Sequence, residues 1–550
     1  MTVESSPYPP PHAVPRRELA AASLLTAAGV ALLYTYGPAP GDAPAHLYRT
    51  YLVQHGILLW DNLWYGGQYP LASYSLFYYL PAAVVGNLPL VIAAAIASAL
   101  LFTSIALREW GRVAYWPSRV FGVLAAAPLF TGLYSYTVGF ATLLGVLRAL
   151  QSGRIWLMVV LAVLTLGLSP LAFVFLCLLL LAVALSKRRI DRRALVVGGV
   201  LASISALEVG VLLLFPSTGD YPFHLINLVG MLIVCSLGVA VARRAARAQT
   251  LAVFFAIWGI GSVIAYVVPS PVGGNWSRLN AFVFPLMLLT AALAHFQPRW
   301  LVGLGLVSAL AYNLIPYALL IPLRADNRPA SVKFWTPTLT FLRHNEPADF
   351  RVEVVPTAAH WEAYWLPRSG YALARGWYEQ LDSSANPVLY RSTLKPAVYR
   401  AWLRRMGVKY VVLPATVLDP EGGPTEARLL TTGAAGLIAV FRSPTATIYA
   451  LPHPTPLLTG PGAAEITTDG HESIRGTVAA PGDYILRFRY TPYWAIRPIT
   501  SCISRRKDGM TELVVRHAGA FEMQISQQPE QVLESAFSFG DNHCEKVAGG

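Results

Sequence analysis

The chain has 550 residues, 55% of them hydrophobic and only 13% charged, with a formal net charge of +13. So apolar a composition excludes an ordinary soluble enzyme and points to an integral membrane protein. The basic excess does not mark a nucleic-acid binder, because the cations lie mostly between apolar runs, where they set orientation in a bilayer.

Crossing a hydrocarbon core takes about 20 residues at helical rise. In chain order, suitable runs fall at 18–36, 88–107, 156–186, 194–215, 224–242, 250–269, 279–296 and 300–322. The stretch 118–150 reads as a hairpin of two spans with "GLYSYTVG" at its tip, and 156–186 as another, broken at Ser169 and Pro170. Basic clusters follow the runs: Arg16 and Arg17, Arg108 and Arg112, Arg148 and Arg154, "SKRRIDRR" (186–193), "RRAAR" (243–247) and "QPRW" (297–300). Placing all of them inside gives about eleven spans, a cytoplasmic amino end and an external tail in a multi-pass plasma-membrane protein. The first run is too long for a cleavable signal peptide and reads as a signal anchor.

The expected architecture is a polytopic helical domain over 1–323, then two extracytoplasmic parts: a mixed α/β subdomain (324–455) and a β-rich, sandwich-like subdomain (456–550). "SVKFWTPTLTFLRHN" predicts a helix leaving the membrane, and "FRVEVVPT", "VKYVVLP", "LIAVFRS" and "TIYALP" predict strands. After the Pro/Gly-rich "PHPTPLLTGPGAAE", the segments "YILRFRY", "ELVVRHA" and "FEMQIS" alternate like sandwich strands. Cys177 and Cys235 fall in spans, whereas Cys502 and Cys544 lie in the external tail as a candidate disulfide.

Three polar, aromatic and glycine-bearing segments then share the external face: 41–70, 215–224 and 269–280. The first, "GDAPAHLYRTYLVQHGILLWDNLWYGGQYP", carries more chemistry than a connector needs. With Pro44 in a first helical turn, Asp42, His46 and Arg49 fall on one helix face. Asp42 also reads as a plain N-cap, and the tryptophans and tyrosines as boundary anchors. Glu208, inside an apolar run, is a costly mid-membrane carboxylate whose partner the sequence does not name.

The order "GDAPAHL", "LWDNLWYGGQYP", "LFYYLP" after the first span resembles the first external loop of the GT-C superfamily of polyprenyl-phosphate-sugar-dependent membrane glycosyltransferases. The nearest likeness is to bacterial YfhO-type and pyruvoyl-tetrahydropterin-synthase-related membrane proteins. "PVGGNWSRLNAFVFPLML" is similar to the family's late external loop, and segments at 360–390, 399–414 and 480–496 to its tail. The resemblance implies that Asp42 is the catalytic base and that the enzyme moves a sugar from a polyprenyl-phosphate donor to a glycan or glycolipid acceptor. Donor-phosphate ligands would be Arg278, with Arg49, His46 and Asn275, Arg49 having an ion pair with Asp42 as its plain alternative. By their place in the external segments, Trp64, Gln68, Asp220 and His224 are candidates to line the substrate, with cap and turn roles as the plain alternative for Asp220 and His224. The first loop lacks the Asp-x-Asp or Glu-Asp pair of metal-dependent relatives, so no cofactor is expected, although a divalent metal stays open.

Without a metal the chemistry needs a carboxylate to take the acceptor proton and a guanidinium to meet the departing phosphate. Arg278, after Gly273 and Gly274 at a span end, suits the second role, with interfacial snorkelling as its plain alternative. In the tail, Trp361, Glu362, Arg375, Trp377, Gln380 and Asp382 combine rings with polar groups as a carbohydrate surface would, or pack as core. No P-loop, dinucleotide fingerprint, G-x-S-x-G, H-E-x-x-H or zinc spacing occurs. Two other classes fit the composition: a transporter or lipid-linked-glycan flippase built around Glu208, and a non-catalytic envelope-glycan-binding scaffold.

Overall fold

The computed structural model describes residues 13–526, apart from 73, 188–191, 217–218, 305–306, 308–320, 323–325, 346–347, 392 and 498–500. The chain divides into two interleaved compact units: a helical unit of residues up to Pro40, Tyr74–Val211 and Asp220–Pro322, and a second unit of Gly41–Ser73, Leu212–Gly219 and Leu323 onward. The segment 41–73, which the sequence places as a loop of the membrane part, therefore belongs to the same folded body as the tail.

The elements run α1 (Arg16–Tyr36), α2 (Ala43–Gln54), α3 (Tyr79–Val85), α4 (Asn87–Trp110), α5 (Tyr115–Leu124), α6 (Ala127–Thr131) and α7 (Tyr134–Gln151). They continue through α8 (Ile155–Leu168), α9 (Pro170–Ser186), α10 (Arg192–Leu214), α11 (Leu225–Ala242), α12 (Gln249–Val267) and α13 (Asn280–Leu293). Among the described residues, six helical stretches are long and apolar enough to cross a membrane, and α8 and α9 are shorter apolar helices. The expected 118–150 hairpin is α5, α6 and α7, with Gly132 in the left-handed region at φ 84° closing α6. The expected 300–322 span lies mostly outside the described residues.

The break at 169–170 has a local cause. Ser169 caps α9, its Oγ accepting from the Ala172 amide at 3.3 Å, and Pro170 occupies the first turn, where a missing N–H costs nothing. Small residues set the tight crossing of α1 on α5, where a Cβ on Gly122 would lie 2.7 Å from the Ala22 carbonyl oxygen. At the same crossing Arg119 donates two 3.0 Å hydrogen bonds to the buried Glu18 carboxylate, a bidentate pairing that satisfies a charge held out of water. Glu208 is half-buried on α10, with no hydrogen-bonding or ionic partner among the described residues.

All seven tail strands anticipated above are present. The mixed sheet has order β1-β2-β4-β3, from β1 (Arg351–Val354), β2 (Val408–Pro414), β3 (Ile438–Arg442) and β4 (Ala446–Ala450), and only the β1/β2 pair is parallel. Its parallel pair needs a crossover, and that crossover carries the helices Glu362–Arg368, Glu379–Ala385 and Pro396–Arg405. Two antiparallel four-stranded sheets follow, β10-β11-β8-β5 and β6-β7-β12-β9. They are built from β5 (Leu458–Thr459), β6 (Ala464–Asp469), β7 (Ser473–Val478), β8 (Gly482–Arg489), β9 (Trp494–Arg497), β10 (Ser501–Arg505), β11 (Met510–Val515) and β12 (Gly519–Ile525). Alternate residues such as Tyr484, Leu486 and Phe488 enter one core with Phe521 and Met523. Cys502 is disulfide-bonded, while Cys544 lies outside the described residues.

The segment 41–73 completes that core. Trp60 and Tyr69 sit within it, the Asn62 amide donates to His471 O at 2.8 Å, and the Arg489 amide donates to Gly66 O at 2.7 Å. Leu63 O receives the Leu373 amide at 2.8 Å from the α/β part. A tight loop makes this possible: Asp61 and Gln68 exchange backbone hydrogen bonds of 2.9 and 3.0 Å. Gly67, at φ 137°, presses so close to the Trp60 ring that a Cβ there would lie 2.2 Å from it.

Candidate functional site

Asp42 stands at the N-cap of α2, with Pro44 in the first turn, as its sequence suggests. Its side chain makes no capping hydrogen bond. Its backbone is already helical, at φ −86° and ψ −5°, whereas a capping side chain is ordinarily carried on an extended residue. The carboxylate turns instead to the tail's α/β part, where Oδ1 accepts from the Trp377 indole N–H at 3.3 Å. Oδ2 has no hydrogen-bond partner among the described residues. The residue is half-buried, so one oxygen is fixed and the other is available.

Behind Trp377 lies His360, its ring stacked on the indole with planes 9° apart. His360 Nε2 is 2.8 Å from Asp419 and Nδ1 is 3.5 Å from Glu362. Burial alone would depress this imidazole, but the hydrogen bonds and charges of Asp419 and Glu362 outweigh it and raise His360 to about 9. The residue is also left-handed, at φ 55°, a backbone state that costs a side-chain-bearing residue energy and is held by its surroundings. Near Asp42, burial lifts Glu379 to about 7, with the charges of Glu421, Asp42 and Asp419 adding to the effect. A small cavity of about 20 Å³ lined by His360, Trp377, Asp419 and Glu421 adjoins this cluster. It has room for a water and none for a sugar ring, so any substrate hydroxyl at Asp42 must approach from outside it.

The other residues singled out in the first segment are interior. His46 and Arg49 do follow Asp42 on α2, but both are buried. The Arg49 guanidinium lies 4.3 Å over the Tyr378 ring and donates to Gln68 Oε1 at 3.4 Å. Trp64 is wholly buried, its indole donating to Ala363 O at 3.0 Å, and Gln68 donates to Asp61 at 3.3 Å. They hold the segment in its domain rather than lining an open surface.

The tail aromatics are also interior. Trp361, Glu362, Arg375, Trp377 and Asp382 are buried and Gln380 half-buried, so these six residues form no open carbohydrate platform. The reason is charge. Arg375 bonds Glu353 on β1 and, at 2.7 Å, Glu426, with Asp382 at 3.8 Å. Three carboxylates around one buried guanidinium cannot all ionise cheaply, and burial drives the Glu353 carboxyl well above the ordinary range. Glu362 is spent on the Thr357 amide and hydroxyl, at 3.1 and 2.6 Å.

In the helical unit, the 3-10 turn Gly273–Leu279 carries Asn275 and Arg278. It packs on the chain entering α11: Tyr221 N donates to Ser270 O at 3.1 Å, and Gly274 N donates to Tyr221 O at 3.0 Å. A Cβ on Gly273 would lie 1.8 Å from Tyr221 O, so glycine is needed for that approach. Two of the three expected external segments thus meet. Arg278 is half-buried and its carbonyl accepts from Tyr136 at 3.2 Å. Asn275 donates to Pro271 O at 2.8 Å, while its buried Oδ1 has no partner among the described residues. Asp220 and His224 are exposed in the same unit.

Sequence reasoning assigned no site role to His360, Asp419 or Asp61. The last is a fully buried carboxylate that meets His471 at 2.8 Å across 410 positions, a pairing with no local signature. Among the described residues no group of three or more His, Cys, Asp or Glu is placed to hold a metal ion. Comparison with models of known protein families gives no match, and comparison with curated proteins gives none either.

Proposed function

We propose that the protein is a membrane glycosyltransferase that moves a sugar from a polyprenyl-phosphate donor to a hydroxyl of a cell-envelope acceptor. Asp42 is the base. The carrying observation is its carboxylate, which caps no helix, is anchored through one oxygen to Trp377, and keeps the other without a protein partner among the described residues. The acceptor oxygen forms its bond to the anomeric carbon as its proton passes to Asp42 Oδ2 and the anomeric carbon–phosphate oxygen bond breaks. The electron pair leaves on the lipid phosphate, a charge suited to a guanidinium, and the likeness to the GT-C late loop makes Arg278, with Asn275, the candidate. Arg49 and His46, both buried, hold α2 in position. The likeness of 41–70 and 271–288 to GT-C loops supports the same reading, as does the basic-cluster pattern, which gives about eleven spans, a cytoplasmic amino end and an extracytoplasmic tail.

Transfer from a panel of labelled polyprenyl-phosphate sugars by the purified full-length protein tests this reading, comparing the parent with Asp42→Asn and Arg278→Ala. Each substitution is expected to lower the rate at least 100-fold, in keeping with loss of a base or of a charged oxyanion partner. Parental rates in Asp42→Asn remove the base assignment, and parental rates in Arg278→Ala remove the phosphate assignment.

A further inference from the structure

A second cluster in the tail-containing unit is built with more care than packing needs. Asp61 has no exposed surface. Its oxygens accept from the Tyr48 hydroxyl at 3.2 Å, from Gln68 Nε2 and the Leu63 amide at 3.3 Å, and face His471 Nδ1 at 2.8 Å. A carboxylate oxygen accepts, so the Nδ1–H of His471 points at Asp61 and Nε2 faces away from it. His471 is 21% exposed, and Nε2 has no hydrogen-bond partner among the described residues. The His471 ring lies 6.4 Å from Tyr51. Over Tyr51, at 5.4 Å, stands the exposed guanidinium of Arg368, also 5.3 Å over Tyr364. Arg368 bonds the Tyr364 hydroxyl and forms no ion pair among the described residues. An oriented ring nitrogen and a cation without a carboxylate, braced by two tyrosine rings, therefore stand together.

We propose that His471, Tyr51, Tyr364 and Arg368 form a binding site for an acidic sugar. A ligand oxygen hydrogen-bonds His471 Nε2 and the carboxylate or phosphate substituent meets Arg368, which Tyr51 and Tyr364 hold in place beneath it. Asp61 fixes the imidazole as a positioning residue. The site stands apart from Asp42, since Tyr51 is nine residues further along α2, about 13 Å at helical rise, and it does not rest on the transfer reading.

Calorimetry on the full-length protein in detergent, titrated with glucuronate, glucose 6-phosphate, glucose and inorganic phosphate, tests the site. At least one acidic sugar is expected to bind saturably, with glucose and phosphate alone at least tenfold weaker. His471→Gln and the exposed Arg368→Ala are each expected to weaken it at least tenfold. Nitrogen-15 spectra of the histidines should show the Nδ1–H tautomer for His471. No saturable binding of either acidic sugar, parental affinity in both variants, phosphate alone binding as well as the sugars, or an Nε2–H tautomer would each overturn the proposal.

Discussion

Asp42 and His360 show how one indole couples two unlike charges. Trp377 donates to the first and stacks on the second, so Trp377→Phe removes the donor together with part of the stacked ring. Transfer is expected to fall about tenfold in that variant as Asp42 loses its orientation, with a stability loss of about 1 to 3 kcal/mol from the lost hydrogen bond and ring volume; an unchanged rate would show that the indole N–H orients nothing. His360 makes the stability of this unit depend on pH. Its folded value of about 9 lies above the ordinary one of about 6.5. Its contribution is thus complete below about pH 6.5 and lost as pH rises through about 9. Glu379 and Asp469, both lifted by burial to about 7, also favour the protonated folded state, so their ionisation costs stability between about pH 4 and 7. Melting temperature should fall from pH 5 to 9, and His360→Gln should flatten the limb between 7 and 9. A melting temperature that rises across that limb in the parent would contradict the assignment. None of this was legible in the sequence, because His360 and Trp377 of the β1–β2 crossover meet each other, and Asp419 beyond β2, only in the folded chain.

Among the elements, the segment 41–73 gives the clearest comparison of sequence with structure. Its composition announced that it was no simple connector, and the helix start at Asp42 and Pro44 was readable from cap and proline chemistry alone. So was the break at Ser169 and Pro170. What the sequence could not show is where Trp60, Trp64 and Tyr69 go, because a contact with residues hundreds of positions away leaves no periodic trace. They are building material of the second unit: Trp64→Ala should cost about 3 to 5 kcal/mol there, measured by denaturant unfolding followed through near-ultraviolet dichroism. Gly67→Ala adds a Cβ 2.2 Å from the Trp60 ring and is expected to destabilise by about 1 to 3 kcal/mol. A cost near zero for either would mean that the segment does not share the core.

For the whole molecule, the interleaving of the two units is the main consequence. The sequence boundary near 323 marks a change in composition, yet the body containing the tail also takes in 41–73 and 212–219. A fragment of residues 326–526 alone therefore lacks Trp60 and Tyr69 from its sandwich core and should be protease-sensitive, whereas the same fragment joined to 41–73 should resist digestion. Equal resistance would contradict the shared fold. Hydropathy and strand alternation made the helical part and all seven anticipated strands legible, since each is a local pattern. The partner relationships of Asp42, Asp61 and Arg49 are long-range and were not.

The most direct measurement is the initial rate at which purified full-length protein releases polyprenyl phosphate from a labelled sugar donor in the presence of acceptor, for the parent and for Asp42→Asn. An amide oxygen still accepts from Trp377, so the variant should fold as the parent does while its rate falls at least 100-fold. A parent without donor cleavage, or an Asp42→Asn protein as fast as the parent, would contradict the account.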